Sequence, residues 1–470
     1  MRLFKLTIMN RKNFKIGSVC LALLTAAVLT SCKKDFLNVK PSTSLVQPHT
    51  ITDFQQLLSN TEVFNQTGAL PLASSDEFII PDYATYQSLV QLTTRNAYTW
   101  EKDLYGGQGN VKDWNIPYAA IFYANSVLDG LPNSDGIGTS EWNKAKGWAY
   151  FARAFAFYDL AQNFCEAYDG KTAGSSPGVP LRLTSGIDEL LPRATLQQTY
   201  DQLLSDLQQA GRLLPNNLSV DFRNQPSKAA VYALFARIYL SMREYPKAEA
   251  YADSCLLIYN KLIDYNTVSK TASTPFTFSN DESNYYSVQT TDLTEVISSS
   301  LGRYAITPEL LSLYDANDLR KPIYFGKAAN GTTLRKRTYS GRSLIYTGLA
   351  TDELYLIKAE CAARRSAVQT ALSSLNTLLI TRYTSGTFTP RSASDPATAL
   401  AMVLTERQKE LIRRGLRWSD LKRLNKEGAN ITITRILNGK TYTLPPNDPR
   451  YLFPIPDDEI NYSGISQNPR

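Results

Sequence analysis

The chain has 470 residues, a formal charge of +7, 28 tyrosines, five cysteines and one histidine. Five of its positive charges, Arg2, Lys5, Arg11, Lys12 and Lys15, lie in the first 32 residues, which contain no acid. The remainder is therefore close to neutral and lacks the basic face of a nucleic-acid binder. A lone histidine, His49, and the absence of any CxxC pair argue against a zinc site or a histidine-based triad, so no metal or cofactor is expected.

Met1–Lys15 reads as a basic n-region and Ile16–Thr30 as an apolar h-region too short to be a membrane span. The run ends in Leu29-Thr30-Ser31-Cys32, which resembles a bacterial lipobox. This predicts a signal peptide over 1–31, a lipidated Cys32, and a polar tether over 32–50 that makes the only membrane contact. Two or three acyl chains on Cys32 would anchor durably, whereas one would not. The alternative is an ordinary secretory signal with an incidental cysteine.

A short helix is predicted around Thr52–Leu58. Residues 66–112 are turn-rich and carry Tyr83, Tyr86, Tyr98, Trp100 and Tyr105 with Gly106-Gly107-Gln108-Gly109. Helices follow at about Trp114–Asp129 and Trp142–Phe164, then a loop over Glu166–Leu191. Thr195 with Gln198 forms a capping box that opens a helix ending near Leu214-Pro215.

Pro226–Asn260 organises the rest. Ser227 is an N-cap, Pro246 sits where a second helix begins, and Ala236, Ala248, Ala252 and Cys255 fall where two helices must approach closely. The spacing fits a 34-residue helix-turn-helix repeat of the tetratricopeptide kind, which needs stacked neighbours to bury its apolar face. Ala359 and Ala371 repeat the offset of Ala236 and Ala248, in helices predicted at Asp352–Arg364 and Ala367–Tyr383.

Between these hairpins, residues 264–348 read as a long irregular segment, with a short helix after Thr307-Pro308 and a β-hairpin on Asn330-Gly331. Helices at Asp395–Arg413 and Leu416–Lys426 precede a hairpin on Asn438-Gly439. The end, Tyr451–Pro456, is extended because two prolines forbid a helix. The predicted fold is mainly α: tetratricopeptide-like hairpin repeats, long irregular loops and a few short β-hairpins. Residues 51–263 and 264–470 are expected to pack as one unit. Cys165, Cys255 and Cys361, an odd set on helices, argue against a disulfide framework.

Several stretches together resemble the SusD/RagB nutrient-binding lipoproteins. They are Trp114-Asn-Ile-Pro-Tyr118 with Ala124-Asn125; Ala152-Arg153-Ala154 with Tyr158; Gly178-Val-Pro-Leu181; Ser227–Tyr251; Tyr314-Asp315 with Asp318 and Arg320; and Glu353–Glu360 with Asn376. The most specific is Glu406-Arg407, Glu410-Leu411, Gly415, Arg417-Trp418, Asp420-Leu421 and Arg423. Pro454-Ile455-Pro456 and Gln467-Asn468-Pro469 complete the order. Arg414 departs from the acid usual before the glycine, and Cys165 from the usual glycine. The resemblance implies a non-catalytic, lipid-anchored outer-membrane protein on the cell exterior. Such a protein binds a glycan, or sometimes a peptide, and caps a SusC-like TonB-dependent transporter with its helical-repeat side while its loops hold the ligand.

Aromatic rings that cover the C–H face of a sugar are the expected platform. Trp114, Trp142, Trp148 and Trp418 lie in helical patterns and are assigned to the core. That leaves Trp100 as the leading candidate, followed by Tyr83, Tyr86, Tyr285, Tyr286 and Tyr324, with Asn284 and Arg303 as hydrogen-bonding partners. A surface glycoside hydrolase is the rival class. It needs two carboxyl groups about 5 to 10 Å apart, and Asp76-Glu77, adjacent on a strand, would point to opposite faces. In Glu406–Arg423, Glu410 is expected to pair with Arg413 and Arg414 along a helix surface, and Arg417, Trp418 and Asp420 to pin the next helix, giving a structural motif rather than a catalytic one.

Overall fold

Small residues at helical spacing set where helix packs on helix. In the computed structural model, which describes residues 48–297, 302–337 and 339–470, helices Lys228–Ser241 and Tyr245–Ile258 form the predicted hairpin. Ala236, Ala248, Ala252 and Cys255 are fully buried along its seam. The Ser227 side chain accepts from the Ala230 N–H, and Pro246 lies in the first turn of the second helix, where an N–H has no intrahelical partner. Phe235 stacks on Tyr251 at 4.4 Å between ring centres, so large rings fill the space the alanines leave.

The second hairpin, Thr351–Arg364 with Val368–Leu379, has Ala359 and Ala371 fully buried at the matching offset. It packs on the first through Tyr245–Ile258, and helix Pro396–Glu410 covers its other side. Ahead of them Lys112–Gly130, Ser140–Phe164 and Leu196–Leu213 stack in chain order and join onto Lys228–Ser241. The Thr195–Gln198 capping box is present. Trp114, Trp142, Trp148 and Trp418 are all buried, as are the free thiols of Cys165, Cys255 and Cys361.

The two stretches expected to be loops differ from that expectation. Residues 66–112 carry three short helices, Leu70–Ser74, Tyr83–Gln87 and Leu92–Thr99. Residues 264–348 are knitted into the body by paired strands only two or three residues long. Gln66–Thr67 lies parallel to Val288–Gln289, while Phe78–Ile79 with Ala305–Ile306 and Ser283–Tyr285 with Leu349–Ala350 are antiparallel. These pairings satisfy backbone groups that burial would otherwise leave unpaired. The Asn330-Gly331 hairpin joins Phe325–Lys327 to Thr333–Arg335.

Near the C-terminus, Ile433–Leu437 and Lys440–Leu444 form a hairpin turning on Asn438 and Gly439, both at positive φ. After the extended prolines comes an unpredicted helix, Asp457–Ser463. Its first turn holds Asp457, Asp458 and Glu459, which complement the helix dipole, and Gly464 ends it in a left-handed conformation. No helix among the described residues is long and apolar enough to cross a membrane. The predicted signal peptide, Cys32 and most of the tether lie outside the described residues.

Candidate functional site

The short helix Tyr83–Gln87 buries none of its residues. Asp82 fixes its start, accepting from the Thr85 N–H at 2.7 Å. Tyr83, 39% exposed, and the half-buried Tyr86 stack at 6.0 Å with their planes 18° apart, so together they offer a near-continuous aromatic surface.

That pair rests on a rigid floor. Tyr86 leans on Tyr98 at 6.3 Å, and the Tyr98 hydroxyl accepts from the Ile80 N–H at 2.9 Å. Beneath them the buried guanidinium of Arg435 lies 3.9 Å from the Tyr98 ring centre and 4.5 Å from that of Trp100. Among the described residues Arg435 pairs with no carboxylate. It donates instead to the carbonyls of Tyr98, Ser74 and Ser75, and burial lowers its pKa to about 10. Burial raises the pKa of the Tyr86 phenol, with Thr99, Tyr442, Glu101 and Arg95 near enough to act on it. Tyr442 comes from the C-terminal hairpin and carries Lys440 over its ring at 4.5 Å. Sequence reasoning missed Tyr442. The signal was present, because its register partner Arg435 puts it on the inward side of the hairpin.

The other predicted ligand residues fare differently. Arg303 pairs with Glu295 at 2.5 Å, and Glu295 also accepts from the N–H groups of Val90 and Gln91, so Arg303 braces the segment that follows the tyrosine helix. Trp100 is 2% exposed and donates its indole N–H to the Ser74 carbonyl, which makes it part of the floor and not a contact surface. Tyr285 donates to the Phe64 carbonyl and meets Phe151 and Phe155 edge-on. Tyr286 packs on Phe278, Asn284 donates to the Thr351 hydroxyl, and Tyr324 shares a hydrogen bond with Tyr265 beside Glu410. All four are buried and leave no face for a ligand. Of the eight, Tyr83 and Tyr86 share one surface, and Arg303 acts on the segment after their helix through Glu295.

The reactive groups point away from catalysis. Asp76 pairs with Arg417 at 2.6 Å, and Glu77 accepts from the Arg413 N–H within the core. Burial pushes the Cys165 thiol up to about 11 and the Cys255 thiol up to about 12. Glu282, Asp352 and Glu410 converge closely enough to suggest a metal. Arg382 takes Glu282 and Glu410 at 2.8 Å each, and Arg414 takes Asp352 at 2.6 Å, so their charges are already met.

Residues 35–240 match a family described as "Starch-binding associating with outer membrane", and residues 349–470 match the SusD family. The chain belongs to the SusD/RagB family. SusD-like protein P38 of Formosa agariphila is 28% identical over 176 residues, which are 37% of this chain and 30% of that protein's own length. A SusD superfamily protein from Bacteroides thetaiotaomicron superimposes with a TM-score of 0.72 at 20% identity, covering 90% of this chain and 100% of that one. A SusD-like carbohydrate binding protein from Bacteroides vulgatus gives a TM-score of 0.69 at 20% identity, covering 89% and 97%. Proteins of this family are binding proteins rather than enzymes, and the non-catalytic assignment rests on that membership.

The family's most specific motif proves structural, with partners that differ from those expected. Glu410 pairs with Arg320 and Arg382 and not with Arg413 or Arg414, and the pairs are buried. The helix stops at Glu410, and Arg413 takes a φ of +57°, so its neighbours leave the helical register. Arg413 instead lies over Phe78 and Tyr304, while Arg414 reaches Asp352. Of the three residues expected to pin helix Arg417–Lys426 to Pro396–Glu410, Asp420 does so through Arg407 at 2.8 Å, whereas Arg417 pairs with Asp76 and Trp418 donates to the Tyr451 carbonyl.

Proposed function

We propose that this SusD/RagB chain is a cell-surface outer-membrane lipoprotein, anchored through Cys32. In this reading it holds an oligo- or polysaccharide on the Tyr83–Tyr86 surface and passes it to a SusC-like TonB-dependent transporter. The carrying observation is the stacked tyrosine pair, Tyr83 exposed and Tyr86 half-buried, above a buried Tyr98–Arg435–Trp100 floor, bordered by Arg95, Glu101 and Tyr442. Rigid rings with two side-chain torsions lose little entropy on contact, and flanking polar groups meet hydroxyls. Family membership and the carbohydrate-binding description of the Bacteroides vulgatus protein support the ligand class.

Calorimetry against glycan and peptide panels tests the reading. Tyr83→Ala and Tyr86→Ala are expected to weaken glycan binding by about five- to tenfold each, the loss of one ring contact near 1 kcal/mol. Unchanged glycan affinity in the double variant would refute the site. Binding confined to peptides would replace the ligand class, and new reducing ends from incubated polysaccharide would replace the non-catalytic reading. Co-purification of a large β-barrel transporter from solubilised outer membrane, lost in Cys32→Ala, is the expected result for partner and anchor.

A further inference from the structure

Trp114, Tyr118 and Phe122 stand four residues apart on helix Lys112–Gly130, so their rings form one stripe that rises about 6 Å per step. Trp114 is buried, with Tyr118 tilted against it and Phe164 edge-on, each at 4.9 Å. Tyr118 and Phe122 are half-buried and line an open groove of about 310 Å³, large enough for a small ligand. Its remaining walls are the segment Pro180–Ile187 and Glu459 of helix Asp457–Ser463.

The backbone of that segment is fixed. The Tyr118 hydroxyl donates to the Pro180 carbonyl at 3.0 Å, Asn125 donates to the Arg182 and Thr184 carbonyls at 3.0 and 2.9 Å, and Asp129 accepts from the Ser185 N–H at 2.8 Å. All three anchors lie on the helix that carries the rings, so the groove is formed without a ligand and little order is lost on binding. The side chains, by contrast, are left open. Among the described residues neither Arg182 nor Glu459 forms an ion pair, although both come near enough to the Tyr118 phenol to act on it. The Glu459 carboxylate accepts one long bond, 3.4 Å, from the Trp114 indole, and Ile187 is 68% exposed.

An unpaired cation and an unpaired anion in one aromatic groove suit a ligand that has donors, acceptors and an apolar face together. A guanidinium only donates and a carboxylate only accepts, so the two can share the hydroxyls of a sugar while the rings cover its C–H surface. The charges of Arg182 and Glu459 cancel. The adjacent Asp188, Glu189, Asp457 and Asp458 are exposed acids, which oppose a sulfated or uronic-acid chain.

We propose that this groove is a second binding site, for a neutral oligosaccharide, with Tyr118 and Phe122 as its platform and Arg182 and Glu459 as its hydroxyl-binding pair. It shares no residue with the tyrosine surface and does not rest on glycan binding there.

The test uses the full chain carrying Tyr83→Ala and Tyr86→Ala, which removes the tyrosine surface. The probes, in calorimetry, are malto-, cello-, xylo- and mannohexaose, hexagalacturonate and a peptide panel. A neutral hexasaccharide is expected to bind this chain. Adding Phe122→Ala should weaken that binding about fivefold, and adding Arg182→Ala or Glu459→Gln about tenfold or more. Equal affinity in the parent and the double variant, with the loss in Phe122→Ala, would support the groove while refuting the tyrosine surface. Parent binding that disappears in the double variant would assign the glycan to the tyrosine surface alone and overturn the groove. Binding to the double variant that survives both Phe122→Ala and Arg182→Ala would also overturn it, as would binding of hexagalacturonate or peptides only, or of nothing. If Phe122→Ala does not fold, Arg182→Ala decides, because that side chain has no ion pair to lose: weaker binding supports the groove and unchanged binding overturns it.

Discussion

Replacing Arg320 by methionine tests whether the family motif is a buried electrostatic clamp. Arg320 is fully buried and binds Asp318 at 2.7 Å, Glu406 at 2.6 Å and Glu410 at 3.0 Å. Methionine keeps much of the volume and removes the charge. Three carboxylates lose a partner, yet Lys409 still reaches Asp318 and Glu406, and Arg382 still reaches Glu410. The cost should therefore match one broken buried pair, about 3–5 kcal/mol, and not three.

The pH dependence has a definite sign. Burial alone would raise Asp318 and Glu410, but the adjacent cations outweigh it and hold both below the usual carboxylate range. A depressed carboxyl contributes stability above its unfolded pKa and loses it as pH falls through the folded one. The parent chain should thus lose this contribution in acid, and the deficit of Arg320→Met should shrink as the medium drops below about pH 4. Urea unfolding of both proteins across that range measures it. A cost under about 1 kcal/mol at neutral pH, the size of an exposed pair, would refute the clamp, as would a deficit that grows in acid.

Three further outcomes are expected. Burial lifts Glu77 to about 7, so the native state holds more protons than the unfolded chain between about pH 4.5 and 7. Stability should fall by about 3 kcal/mol as pH rises through that window, and Tm measured in Glu77→Gln should lose this slope. Trp100→Ala should cost about 3–5 kcal/mol in denaturant unfolding because the ring is buried in the floor, whereas Tyr86→Ala should cost under about 1 kcal/mol. Gly348→Ala would place a Cβ 2.1 Å from the Tyr285 carbonyl oxygen. It should break the Ser283–Tyr285 pairing and lower stability by about 3 kcal/mol, with faster amide exchange along that strand.

Helix periodicity, capping residues and the alanine offsets were enough to place both hairpins, and Asn-Gly pairs placed two β-turns. These features are legible because each depends on contacts within a few residues of chain. The helix Asp457–Ser463 escaped because it is barely two turns long and follows prolines that end every other pattern nearby.

Tertiary structure alone decided which aromatic side chains meet solvent. Tyr285 and Tyr324 sit in polar, turn-rich sequence as Tyr83 does, yet distant strands and hydroxyl partners bury them. A tyrosine whose hydroxyl finds a carbonyl or another hydroxyl can enter the core with its polar group satisfied, and that partner lies far away in sequence. The same holds for charge: Glu410 bonds to Arg320, ninety residues earlier, because its own helix ends before its neighbours can turn back to it.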